Sequence, residues 1–116
     1  MRREYTALLA LVSLFTAATV SSQDLEIGRL LWLSNCSACH GENGKPTLPL
    51  TPDISRGEGM EKSRFQHLRT VRNGSGNMPA FAGAIRDEFI VDIVTYMMTL
   101  YPAVSRPLNT GDPNLM

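Results

Sequence analysis

The chain has 116 residues, 11 basic and 11 acidic side chains, and an ordinary apolar content of 43%. That length holds one domain, and with a formal charge of zero nothing in the chain suggests a basic footprint for nucleic acid or a polyanionic tail. Charged residues make up 19%, slightly low for a globular protein.

The first element stands apart from any fold. MRREYTALLALVSLFTAATVSSQ opens on Arg2 and Arg3, runs apolar from about Ala7 to Val20, and ends in small residues before Gln23. This is the layout of a secretory signal peptide, with Val20 and Ser22 at the −3 and −1 positions of a cut after Ser22. An uncleaved amphipathic helix and a short membrane anchor are the alternatives, although the run is shorter than the ~20 apolar residues that a span needs. Residues 1–22 are assigned to the signal, with export to the periplasm and no stable membrane span once it is cut. Cleavage leaves a mature chain of about 94 residues with a formal charge of about −1. So short a chain gains from something extra to pack around.

Next, DLEIGRLLWLSNC places Ile27, Leu30, Leu31 and Ser34 at helical spacing, with Asp24 and Glu26 in the first turn. Acids there suit the positive end of a helix, predicted over about Leu25 to Asn35. The following GENGKPTLPLTPDISRGEG is rich in Gly and Pro and reads as loop. EKSRFQHLRTVRNG then carries Phe65, Leu68 and Val71 at a three-to-four period. It predicts a short helix opening at Glu61 and closing in a left-handed stop at Gly74.

After the loop GSGNMPAFAGA comes the longest periodic run, RDEFIVDIVTYMMTLY. Phe89, Ile90, Ile93, Tyr96, Met97 and Leu100 form its apolar stripe, Asp87 and Glu88 its first turn, and Pro102 its stop. Residues 102–116 have no periodicity and several breakers, and read as a loose tail. No repeat and no strand stands out. The expected fold class is all-α.

The chemistry lies in Cys36-Ser37-Ala38-Cys39-His40, which holds the only two cysteines of the chain. A structural zinc site needs about four ligands, and no second paired cluster exists. A thioredoxin-like pair belongs at a strand-to-helix junction, and no strand is predicted. A disulfide across two residues closes a very short loop and constrains little. The last two readings leave His40 idle. In C-x-x-C-H, by contrast, both thiols add to the vinyl groups of haem and the adjacent histidine supplies the proximal iron ligand. Export fits as well, since such attachment takes place outside the bacterial cytoplasm.

The chain resembles the class I monohaem cytochromes c, the small bacterial c-type cytochromes. The resemblance runs nearly to Leu100: Gly28 and Trp32 one turn apart, then CSACHGENG, VRNGSGNMPAF and the closing helix FIVDIVTYMMTL. It implies three to four helices around one covalently attached haem, in a domain spanning 23–101. It also implies that the first and last helices cross closely, with Gly28 permitting the approach and Tyr96 packing there. Trp32, Tyr96, Tyr101 and the arginines are candidate donors to the haem propionates.

The resemblance further implies that Met78 is the distal ligand. It stands in NGSGNMPAF, after glycines that allow a tight loop and before Pro79, which stiffens it. Met97 and Met98 read as core packing in the last helix, and Met60 has no supporting context. The rival ligand is His67, the other histidine. With Phe65 and Leu68 taken as the apolar face of its helix, His67 is expected to look toward solvent or to act as a cap. A family proline carbonyl orients the proximal histidine, and Pro52, in Pro52-Asp53-Ile54, fits best, with Pro49-Leu50 close behind.

The implied function is an exported single-haem carrier of one electron between periplasmic redox partners: a dehydrogenase, a reductase or an oxidase. It is not itself an enzyme. The alternative is a haem subunit or acceptor dedicated to one complex, such as a periplasmic dehydrogenase or a nitrogen-oxide reductase. A haem-based redox or gas sensor is the third reading, and a chain this short leaves no room for an output domain.

Overall fold

The computed structural model describes residues 21–101, so most of the expected signal and all of the expected tail lie outside the described residues. Among these residues are four α-helices and one 3-10 turn, and no strand. The first helix, α1 (Ser22–Asn35), starts three residues earlier than predicted. The second, α2 (Ser37–His40), is a single turn formed by the cysteine motif itself. A 3-10 turn (Ile54–Arg56) interrupts the loop, capped by the Asp53 carboxylate, which accepts from the Arg56 backbone N–H. Its Ile54 is buried in the core.

The third helix, α3 (Arg64–Asn73), begins at Arg64 and not at Glu61 because a capping box precedes it. The Ser63 hydroxyl accepts from the Gln66 backbone N–H at 3.3 Å, and the Gln66 side chain accepts from the Ser63 N–H at 2.8 Å. At the far end Gly74 stops the helix with φ 75 and ψ 173. This is not the left-handed helical stop that was expected but an extended positive-φ conformation open in practice only to glycine.

The expected exposure of His67 is overturned. His67 is 9% exposed and Phe65 70%, so the inward stripe of α3 runs through His67 and Val71. Two residues correspond to about 200° around a helix, so burying His67 turns Phe65 outward.

The fourth helix, α4 (Asp87–Thr99), follows its predicted period, with Ile90, Ile93, Val94 and Met97 buried. Val94 is fully buried and joins the expected stripe, whereas Phe89 lies at the edge under the Arg86 guanidinium, 4.4 Å from its ring centre. The core gathers these four with Trp32, Cys36, Ile54, Met60 and Val71. Met60 is therefore a packing residue.

Helices α1 and α4 cross at Gly28. A Cβ on that residue would stand 2.2 Å from the Asp92 carbonyl oxygen and 3.0 Å from the Tyr96 Cβ, so only glycine lets the backbones meet. Trp32 and Tyr96 lie beside this crossing, ring centres 6.4 Å apart. Helix α3 is tied to α4 by Arg72 with Asp87 and by Arg64 with the Thr95 hydroxyl.

Candidate functional site

The cysteine motif owes its shape to the end of α1. The Cys36 N–H donates to the Trp32 carbonyl at 2.8 Å, and the chain then turns once more, with the His40 N–H on the Cys36 carbonyl at 3.0 Å. Residues three and four apart on a helical turn share a face, so Cys36, Cys39 and His40 project to one side. Both thiols are free, Cys36 buried and Cys39 exposed. Burial pushes the Cys36 thiol up to about 11, with the nearby Cys39 adding to the effect. Among the described residues no three His, Cys, Asp or Glu side chains gather to hold a metal ion, so a zinc site lacks its ligands.

Trp32 fastens the exit of this turn. Its indole N–H donates to the carbonyl oxygens of Gly41 and Glu42, 3.1 Å from each, and its ring lies 5.6 Å from that of His40. The indole is thus engaged with the backbone, and the expected propionate role does not fall to it. Burial holds the pKa of His40 below its usual value, so the imidazole is neutral at neutral pH, the form that binds a metal.

His40 Nδ1 is buried and has no hydrogen-bond partner. The bond expected from His40 to the Pro52 carbonyl is not formed, and Pro52 lies exposed on the loop before the 3-10 turn. An unpartnered buried polar group costs about 1–3 kcal/mol, and proteins keep one where a ligand or metal completes the site. Two free thiols at this spacing beside such an imidazole match the donor set for attached haem. The residues fit the group.

Met78 sits at the end of a closed turn. The Ser75 N–H donates to the Met78 carbonyl at 3.1 Å and the Met78 N–H to the Ser75 carbonyl at 2.9 Å, with Gly76 at φ 55 between them. Gly74 lies under this turn, where a Cβ would come within 2.6 Å of the Met78 carbonyl oxygen. Beyond it, Phe81 and Ala82 donate to the Val71 and Arg72 carbonyls, which pins the loop to the end of α3. Met78 is half-buried and packs against the apolar cluster that contains Cys36.

The structure thus unites Cys36, Cys39 and His40 on one turn, brings Met78 to the same core, and leaves Pro52 outside. Sequence reasoning missed the burial of His67 and the anchoring by Trp32. A lone indole N–H on a buried helix face, which needs an acceptor, was the available signal for the second.

Comparison with known proteins agrees with this geometry. Residues 23–97 match the family described as cytochrome C oxidase, cbb3-type, subunit III. The chain is 33% identical over 96 residues to the cytochrome c6 of Thermosynechococcus vestitus, covering 79% of this chain and 82% of that protein. It is 35% identical over 82 residues to the cytochrome c6 of Bryopsis maxima, covering 64% and 89%. With that of Pyropia yezoensis identity is 29% over 105 residues, covering 85% and 94%. The chain belongs to this cytochrome c family, as a class I c-type cytochrome with covalently bound haem c, an electron carrier and not an enzyme.

Proposed function

We propose that this cytochrome is exported and shuttles single electrons between periplasmic redox partners, with Cys36 and Cys39 as thioether anchors and His40 and Met78 as axial ligands. The observation that carries this reading is the turn Cys36–His40, where two free thiols precede a half-buried imidazole whose Nδ1 is buried and unpartnered. Bound haem supplies reversible one-electron redox chemistry. Trp32 holds the Gly41 and Glu42 carbonyls and so limits how far the His40 end of the turn can swing. His40 stays neutral through burial and keeps a lone pair for iron. Met78 offers a soft, uncharged sulfur, which favours the reduced metal and raises the potential. Pro52 is assigned to orient His40 through its carbonyl, a contact that would form on loading.

The test is expression of the full chain in a bacterium that attaches haem, followed by denaturing mass measurement and reduced-minus-oxidised spectra. The expected product starts at Gln23 and carries one haem, held by two thioethers in the wild type and by one in Cys36→Ala or Cys39→Ala. Colourless protein with two free thiols would remove the assignment. An intact leader on the product would remove the cleavage site.

A second reading, a haem subunit dedicated to one complex, is favoured by the family description itself, which names an oxidase subunit. For the distal position, the burial of His67 is the observation that favours a second histidine over Met78.

A further inference from the structure

Helices α3 and α4 leave a groove of about 260 Å³ between them, lined by none of the residues of the cysteine motif. Leu68 and Ile90 line it, and Phe65 and Val91 flank it with exposures of 70% and 38%. A phenylalanine this exposed gains little from folding, and an apolar groove with a charged rim is the usual form of a docking site. The charges on the rim are uneven. Arg72 is paired with Asp87, whereas Arg69 makes no ion pair or hydrogen bond among the described residues. The rim therefore keeps an excess positive charge.

We propose that this groove docks an acidic amphipathic helix of a partner protein. Such a helix lays apolar side chains spaced three and four apart between Phe65 and Val91, and sets a carboxylate against Arg69. A basic helix is repelled. A second copy of this chain is disfavoured too, because two-fold pairing puts the same arginine excess on both sides of the contact. The site is separate from the residues assigned to haem. A partner held here engages a different set of side chains, so the cytochrome can be tethered through one set and exchange electrons through another.

The test selects a phage-displayed library of helical peptides on immobilised full-length holoprotein. Peptides with apolar residues at i, i+3 or i+4, and i+7, flanked by Asp or Glu, are expected to be enriched. A synthetic copy of an enriched peptide should bind about tenfold more weakly to Phe65→Ser and several-fold more weakly to Arg69→Glu. The haem spectra of wild type and both variants should coincide, which shows that folding and haem loading are intact. No enrichment, enrichment without acidic bias, or affinity unmoved by either substitution overturns the proposal. A wild-type dimer that Phe65→Ser converts to monomer in sedimentation assigns the groove to a second copy and overturns it. Binding to phosphatidylglycerol vesicles that Phe65→Ser abolishes assigns the groove to a lipid surface and overturns it as well.

Discussion

The indole N–H of Trp32 lies 3.1 Å from the carbonyl oxygen of Gly41, nine positions further on. That one donor, shared with the Glu42 carbonyl, ties the first residues after the cysteine motif back onto α1. Replacing it with phenylalanine keeps the bulk of the ring and removes the indole donor, leaving the Gly41 carbonyl only the longer bond from the Gly44 N–H. Trp32→Phe should lower stability by about 1–3 kcal/mol, as read by guanidinium unfolding followed by far-ultraviolet circular dichroism. Equal midpoints for the two proteins would show that these bonds carry no weight.

At the crossing of α1 and α4, two effects oppose each other in Gly28→Ala. Alanine gains about 1 kcal/mol of helix propensity. Its Cβ, however, would stand 2.2 Å from a backbone oxygen of Asp92, which cannot rotate aside. Overpacking costs about 1–3 kcal/mol, and so tight a contact belongs at the upper end. We expect a net destabilisation of about 2 kcal/mol in the same unfolding measurement. A more stable variant would mean that the helices can slide apart freely.

The distal ligand can be read from spectra. The oxidised protein should carry the weak far-red band of sulfur–iron ligation. Met78→Ala should abolish that band and lower the reduction potential, whereas His67→Ala should retain both. If the band is absent from wild type and His67→Ala alone changes the spectrum, the distal position belongs to α3.

Asp92 gives a pH dependence of known sign. Partial burial, and then repulsion from Asp24 and Glu88, raise its pKa above the ordinary 3.8, with Arg64 acting in the opposite sense. A carboxyl whose folded pKa is raised stabilises the fold in acid, and this contribution is lost as pH rises through the folded value. Asp92→Asn should therefore raise the melting temperature at pH 7, with a gain that shrinks toward zero below about pH 3.8. A gain that grows in acid would reverse the assignment.

The sequence made some parts of this molecule readable and hid others for definable reasons. α4 was legible because Ile90, Ile93 and Met97, three of its four buried residues, repeat at the helical period. The motif Cys36–His40 stood out because its three functional groups fall within five positions, whereas the single helical turn it forms was not foreseen. The face of α3 was not. Phe65 and Leu68 are both apolar and correctly spaced, but periodicity cannot tell which side the rest of the molecule covers, and here it covers His67. The turn at Ile54–Arg56 was hidden among prolines, its one cue being a capping Asp53. The link from Pro52 to His40 depends on how the loop folds back, which no local pattern encodes.

The meeting of Gly28 with Asp92 and Tyr96 also imposes an order on the making of this protein. Those partners lie at opposite ends of the described chain, at positions 28, 92 and 96. Contacts between distant positions close late, because the intervening loop must be gathered first. Until α4 arrives, nothing presses on the far side of α1, and Cys36 has not acquired its cover of core side chains. Its sulfur is thus exposed while the chain is open and enclosed once it has folded. The crossing is the contact that closes last and sets a cover over a thiol that the open chain exposes.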